Sequence, residues 1–145
     1  MWPKWHLLYN FIFCFVLIYF FDISLFCGAT IFLSSILIDL DHLIPFFKKE
    51  RSINPIKFWK KSVEENGYYS LLSTEEKRKI KKDYFVFHGV ESLIFLWALS
   101  IFHSIFLWIL IGFSVHILLD LANLLYDEGR FSTKISIVWL YISNR

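Results

Sequence analysis

Residues 85–125 read FVFHGVESLIFLWALSIFHSIFLWILIGFSVHILLDLANLL and contain only two charged side chains, Glu91 and Asp120. The run is long enough for two membrane-crossing helices, because a hydrocarbon core of ~30 Å needs about 20 helical residues. Polar Ser100, His103 and Ser104 interrupt the run near its middle, where a tight turn between antiparallel helices is expected. We therefore predict helical spans at 85–102 and 104–125.

Two shorter apolar runs, 7–21 and 23–38, precede this segment, and flanking tryptophans extend the first of them through the membrane interface. Of the 145 residues, 57% are hydrophobic and 21% aromatic, which excludes a disordered chain and argues against a soluble domain. The sequence thus predicts one domain, residues 1–145. We expect it to be an all-α, small integral membrane bundle of about four transmembrane helices.

The charges are unevenly distributed along the chain. The net charge is +2, but the segment 48–83 holds eleven bases and six acids, or 11 − 6 = +5, which leaves −3 for the rest. Basic loops stay on the cytoplasmic side of a membrane. We therefore predict that the 48–83 loop and, with four spans, both termini are cytoplasmic, and that the protein resides in the cytoplasmic membrane.

This basic loop is predicted to contain short interfacial helices. Asn54-Pro55 is typical of a helix start and Gly67 of its end, while Ser73–Glu76 is a capping box that opens a second helix, running through Lys77–Lys82 into the third span. Bases at the membrane surface attract anionic headgroups by about 1 kcal/mol per charge, so membrane lipids are the expected partners. The alternative is that Lys77–Lys82 only sets topology. No nucleic-acid partner is expected.

Three clusters of ionisable side chains interrupt the apolar runs. Within each cluster, spacings of three or four residues place side chains on one helical face, and the predicted topology puts all three clusters at one depth near the cytoplasmic side. An unpaired Asp at mid-bilayer costs at least about 2.5–3.5 kcal/mol, so these groups must be paired, hydrated, protonated or bound to metal. The clusters are Asp39, Asp41 and His42; His88 and Glu91; and His116 and Asp120.

The seven side chains of these clusters are candidate metal ligands. Carboxylate oxygens and imidazole nitrogens suit a divalent ion, zinc first, with manganese, iron or magnesium as alternatives. Seven donors exceed what one ion requires. Either two ions bind, or one ion binds and a remaining carboxylate, Asp41 or Glu91, acts as a general base. His6 and His103 are expected to be interfacial side chains rather than ligands.

Two of the motifs resemble a known family. Asp39-Leu40-Asp41-His42 resembles the Asp-x-Asp-His signature of the predicted membrane-bound metal-dependent hydrolases, the family that includes the LexA-binding inner-membrane proteins. The spacing from Gly112 through His116 to Asp120 is similar to its later Gly-x-x-x-His-x-x-x-Asp signature.

The middle motif departs from that family. Its members typically show Arg-Gly-x-Thr-His-Ser, whereas this chain has His88-Gly-Val-Glu91-Ser92. The resemblance covers residues 31–129, and it implies an all-helical membrane protein with a metal site and a hydrolytic activity on phosphoesters.

Two functions follow as hypotheses. The first is a metal-dependent hydrolase of phosphoester or lipid-like substrates at the cytoplasmic face, with Asp39, His42, His116 and Asp120 holding the metal and His88 completing the shell. The second is a non-catalytic metal-binding membrane protein or an ion or proton pathway. A pathway needs polar groups through both halves of the bilayer. The predicted outer half offers no ionisable group beyond Asp22 and His103, which favours a one-sided site.

Overall fold

The structure, a computed structural model, describes residues 3–80, 85–128 and Ser136. These residues form helices and no strands, which confirms the predicted all-α class for the described part of the chain. The elements are α1 Pro3–Phe21, α2 Leu25–Leu37, a 3₁₀ turn Ile38–His42, α3 Leu43–Glu50, α4 Pro55–Leu71, α5 Thr74–Lys79, α6 Val90–Ser100 and α7 Ile105–Glu128.

Two helical stretches are long and apolar enough to cross a membrane. They are Leu25–Glu50 and Ile105–Tyr126. The apolar part of α1, Trp5–Phe21, and the whole of α6 are shorter. The 11 residues of α6 rise only about 16 Å, roughly half of a hydrocarbon core. The described residues therefore contain two helices of spanning length, where the sequence predicted about four.

The second apolar segment continues beyond its predicted end at residue 38. α2 runs through the 3₁₀ turn directly into α3, which ends at Glu50 with Arg51 in the left-handed conformation at φ 48°. Pro45 does not stop the helix because it lies in the first turn of α3, where a backbone N–H is not required. The side chains of the Asp39–His42 motif thus project from a 3₁₀ turn within a continuous helical rod.

The third segment begins later than predicted. Residues 85–89 are not helical, and α6 starts at Val90 with Gly89 extended at its N-cap. The cause is a tertiary contact, because the Asp41 carboxylate accepts hydrogen bonds from the Phe87 N–H at 2.9 Å and from His88 Nδ1 at 3.1 Å. His88 lies outside α6 and does not share a helical face with Glu91, so the predicted pairing of the two is wrong.

The first loop helix, α4, is capped as predicted. The Asn54 carboxamide accepts a hydrogen bond from the Ile56 N–H at 2.9 Å, and Pro55 occupies the first helical position. The predicted stop at Gly67 is wrong, since α4 continues to Leu71. A single glycine costs a helix interior about 1 kcal/mol, which weakens a helix without ending it.

The second loop helix, α5, opens with the predicted capping box. The Ser73 hydroxyl accepts from the Glu76 N–H, and Glu76 Oε2 accepts from the Ser73 N–H at 2.8 Å and from the hydroxyl, which lowers the pKa of Glu76. α5 ends at Lys79, and Ile80 is extended, so the predicted passage of this helix through Lys77–Lys82 is wrong. Like charges four residues apart repel along a helix, which opposes such a passage. Lys81 and Lys82 lie outside the described residues.

α7 is the central helix of the packing. It lies along α2 and also contacts α6, α1 and α5. Many of the buried side chains are polar, among them His6, Asn10, Ser35, Asp41, His88 and His116, while large apolar side chains such as Phe21, Leu25 and Phe102 are exposed. An apolar exterior around a polar interior is typical of a membrane protein, because lipid replaces water outside the bundle.

Candidate metal centre

The 3₁₀ turn explains how three neighbouring polar residues take different roles. Side chains at positions i and i+3 eclipse each other in a 3₁₀ helix. Asp39 and His42 accordingly lie together, with Asp39 Oδ1 3.6 Å from His42 Nε2. Asp41 projects elsewhere and is 1% exposed, with its carboxylate against the non-helical segment 85–89.

Four side chains from three parts of the chain form a cluster that we call the donor cage: Asp39, His88, His116 and Asp120. Asp39 Oδ1 lies 3.5 Å from His88 Nε2 and 3.4 Å from His116 Nε2. Asp120 Oδ2 lies 3.8 Å and 4.0 Å from the same two nitrogens. Tetrahedral ligands at 2.0–2.2 Å from a zinc ion are about 3.3–3.6 Å apart, so these distances are close to those of a metal site.

The His116 ring is oriented by the backbone of α2. Its Nδ1 lies 2.7 Å from the Ser35 carbonyl oxygen. A carbonyl oxygen can only accept, so Nδ1 must carry the hydrogen, which leaves the lone pair of a neutral ring on Nε2. Such a backbone partner for the distal ring nitrogen is usual for metal-binding histidines.

The His88 ring is oriented by Asp41 in the same way. Its Nδ1 is 3.1 Å from both oxygens of the Asp41 carboxylate, and both side chains are buried. The other ring nitrogen, Nε2, faces Asp39 and Asp120 in the cage. A carboxylate behind a histidine raises the basicity of the ligand nitrogen. Asp41 is therefore placed to support His88.

The chemistry of the cage fits a divalent cation. The Nε2 atoms of His88 and His116 are buried and have no hydrogen-bond partner among the described residues. A neutral His116 would aim a lone pair at the Asp39 carboxylate, two electron-rich atoms 3.4 Å apart. A cation in the cage would satisfy both buried imidazole nitrogens and both carboxylates together, whereas buried polar atoms without a partner are costly.

A cavity of about 630 Å³ adjoins the cage. Asp39 and Asp120 lie on its wall together with His6 and His42, while α3 and α4 supply much of the remainder. The ring centroids of Phe46 on α3 and Phe58 on α4 are 5.2 Å apart. The largely apolar lining includes Leu7, Ile36, Leu40, Leu43, Pro45, Phe46, Phe58, Trp59 and Phe85.

A salt bridge joins the two helices that form this wall. Glu50, at the end of α3, contacts Lys57 at 2.9 Å and Lys61 at 2.5 Å. The hydrogen bond with Glu50 raises the pKa of Lys61. All three groups are partly exposed, so the contacts orient α4 without adding much stability.

The structure brings together six of the seven side chains predicted as metal ligands. Asp39, His88 and His116 offer atoms within 4.8 Å of one another, as do Asp41, His42 and His88. Asp120 joins His116 and His6 in a third such group. Glu91 lies in none of the groups found among the described residues, and its carboxylate accepts a hydrogen bond from the Ser136 hydroxyl.

His6 is the site residue that sequence reasoning missed. We expected an interfacial side chain, but His6 is 7% exposed and its Nε2 lies 3.2 Å from Asp120 Oδ1. A signal was present, since His6 and Asn10 are four residues apart in an apolar helix and therefore share a face. Asn10 is 1% exposed.

Replacing Asp41 with asparagine tests the support of His88. Asparagine keeps an acceptor for Nδ1 but removes the charge, and loss of such a partner lowers metal affinity by about 10–100-fold. We expect this loss in a competition titration of the purified protein against a chromophoric chelator.

Asp22→Asn is the matched control, because Asp22 is exposed in the turn between α1 and α2. Equal affinities in the two variants would contradict the supporting role of Asp41.

Comparisons with known proteins give no family for this chain. No family model, no curated protein and no solved structure matches it.

Proposed function

We propose that this protein is an integral membrane hydrolase that uses a divalent cation, held by the donor cage, to cleave a phosphoester or related ester bond in a lipid-like substrate. The observation that carries the proposal is the position of the cage. Two of its members, Asp39 and Asp120, form part of the wall of a largely apolar cavity. The motifs that resemble membrane-bound metal-dependent hydrolases support the same class of activity.

Zinc is the proposed cation. The cage offers two imidazole nitrogens and two carboxylates, a mixture that suits zinc, manganese or iron, whereas magnesium and calcium favour sites made of oxygen alone. When bound, the cation would supply Lewis-acid activation of the scissile group and of the attacking water.

The cavity favours an elongated amphiphile as substrate. α3 continues the rod that carries Asp39, so Lys49 lies about 16–17 Å farther along the axis, at about 2.0 Å per residue in the 3₁₀ turn and 1.5 Å per residue in α3. Both residues line the cavity, and apolar side chains such as Leu43 and Trp59 lie between the polar groups on its wall. A hydrocarbon chain would pack against this wall while its ester group lies at the cage.

We propose that His42 transfers the proton. Asp41, one of the two carboxylates expected to act as base, is 1% exposed and lies behind His88. The other, Glu91, is hydrogen-bonded to Ser136. His42 instead lines the cavity beside Asp39, within reach of a substrate at the cage.

We further propose that the bundle spans the membrane four times, with α1 and α6 as short spans. The 48–83 loop and both termini would then be cytoplasmic, and the cage would lie near the cytoplasmic surface. Anionic lipid headgroups are the proposed partners of the basic run Lys77–Lys82. Lys77 is buried over the Tyr69 ring, 5.2 Å from its centroid, so this role would fall to exposed Lys79 and the bases that follow.

The test compares long and short substrates on detergent-purified protein. The probes are a fluorogenic long-chain phosphodiester and p-nitrophenyl phosphate, with the palmitate and butyrate esters of p-nitrophenol as a second pair. We expect turnover of a long-chain probe that stops with a chelator and returns with zinc. Leu43→Trp fills the cavity and should reduce turnover of the long-chain probe while leaving metal content unchanged.

His103→Asn is the control for these measurements. His103 is exposed and accepts the Ile105 N–H at the start of α7, a role that asparagine can also fill. Bound zinc without metal-dependent turnover of any of the four probes would overturn the hydrolase and leave a non-catalytic metal-binding protein, the second hypothesis.

A further inference from the structure

His6 connects α1 to the donor cage through two contacts. Its Nε2 lies 3.2 Å from Asp120 Oδ1, and its ring stacks on the His116 ring with centroids 4.5 Å apart and an interplanar angle of 14°. Asp120 and His116 are the two cage members on α7. One side chain from the first turns of α1 thus contacts both.

The two oxygens of Asp120 face different partners. Oδ2 faces the Nε2 atoms of His88 and His116 in the cage, whereas Oδ1 faces His6. A hydrogen bond to the outer oxygen of a ligand carboxylate fixes the rotation of that carboxylate and so aims its inner oxygen. The hydrogen on His6 Nε2 is placed to do this.

The stacked rings constrain His116 in a complementary way. His116 must keep its Nδ1 on the Ser35 carbonyl for Nε2 to face the cage. A parallel ring on one face of the imidazole opposes rotation about its Cβ–Cγ bond, because rotation would bring the two rings into collision. The same neighbour therefore orients both ligands of α7.

We propose that His6 is a positioning residue of the metal centre, which holds Asp120 through a hydrogen bond and His116 through ring stacking. The proposal rests on the metal binding in the proposed function and not on hydrolysis. His6, His116 and Asp120 offer atoms within 4.8 Å of one another, so the alternative is that His6 is itself a ligand, and the experiment below distinguishes the two roles. The resemblance described above starts at residue 31 and leaves α1 without a role.

Two substitutions separate the hydrogen bond from the stacking. His6→Gln keeps an N–H donor, and His6→Phe keeps an aromatic ring without a donor. The full-length protein in detergent is titrated with zinc against a chelator, and the absorption bands of the cobalt-substituted protein report ligand geometry. We expect His6→Phe to weaken zinc binding by about 10–100-fold and to shift the cobalt bands, and His6→Gln to restore most of both.

The thermal stability of the metal-free protein distinguishes positioning from a purely structural role. We expect metal-free His6→Phe to unfold near the wild-type temperature, because an apolar ring fills the same buried space. Zinc binding by His6→Phe equal to that of the His103→Phe control would overturn the proposal, and so would a wild-type protein that binds no zinc. A cobalt spectrum in His6→Gln that shows loss of a nitrogen ligand would also overturn it. If the zinc affinities differ as expected but the protein turns over no substrate, that result would count against the proposed hydrolase activity and not against the role of His6.

Discussion

Replacing His116 with alanine should remove the cation and any activity that depends on it. His116 Nε2 lies 3.4 Å from Asp39 and 4.0 Å from Asp120, so the substitution deletes one of the four donors. It also leaves the Ser35 carbonyl, now 2.7 Å from Nδ1, without its donor. Since loss of a supporting residue alone costs about 10–100-fold in affinity, loss of a ligand should cost more than about 100-fold.

The measurement is the metal-to-protein ratio of purified protein by elemental analysis, followed by zinc titration. His116 is 1% exposed, so unfolding of His116→Ala must be measured alongside. Asp39→Ala is a second variant for this purpose, because the Asp39 side chain is 42% exposed and its removal leaves no comparable cavity. Metal content equal to wild type in both variants would exclude the cage as the binding site.

Replacing Gly112 with alanine should separate α7 from α2. A Cβ atom on Gly112 would lie 2.1 Å from Ser34 Oγ and 2.4 Å from the Ile31 carbonyl oxygen, far inside van der Waals contact. The carbonyl belongs to helix backbone and cannot rotate away. We expect a loss of about 1–3 kcal/mol or more in the free energy of unfolding, the cost of overpacking a close contact.

The same substitution at Gly67 is the control. A Cβ atom there meets nothing within 4 Å, and Gly67 lies inside α4. Gly67→Ala should therefore stabilise the protein by about 0.5–1 kcal/mol, because alanine favours a helix over glycine. If the same substitution lowers the free energy of unfolding at Gly112 and raises it at Gly67, the loss at Gly112 is due to the contact between α2 and α7. An unfolding free energy that rises in both variants would mean that α2 and α7 do not touch at Gly112.

Gly112 also links packing to the metal centre. His116 lies four residues later on the same face of α7, and the added Cβ would be 3.2 Å from the Ser35 backbone nitrogen. Displacement of α2 would pull the Ser35 carbonyl away from His116 Nδ1. Zinc affinity should consequently fall in Gly112→Ala and stay unchanged in Gly67→Ala.

Much of the helical organisation could be predicted from local signals. Long apolar runs predicted α2 and α7, and the asparagine at residue 54 and the capping box at Ser73–Glu76 predicted the starts of α4 and α5. These signals are local, because capping and burial of an apolar run depend on residues a few positions apart. Helix ends were predicted less well. α4 continues beyond Gly67 to Leu71, and α6 starts at Val90 rather than at residue 85.

In the candidate site, too, local spacing predicted some contacts correctly and missed others that depend on tertiary packing. The spacing of His116 and Asp120 placed both on one face of α7, where they lie together at the cage. The spacing of His88 and Glu91 suggested a similar pair, but the Asp41 carboxylate holds residues 87 and 88 outside the helix. Contacts between residues 46 or 47 positions apart leave no periodic trace in the sequence, so periodicity could not reveal this one.

The all-helical class, the apolar segments and the positions of acids and histidines within them follow from the sequence, because each depends on composition and short spacing. Which of those polar groups contact one another depends on how the helices pack. The close α2–α7 contact at Gly112 brings the Ser35 carbonyl to His116, and the 3₁₀ turn directs Asp39 and Asp41 to different sides of His88. Helix packing also brings His6 of α1 to Asp120, because packing sets the distances between residues far apart in the chain.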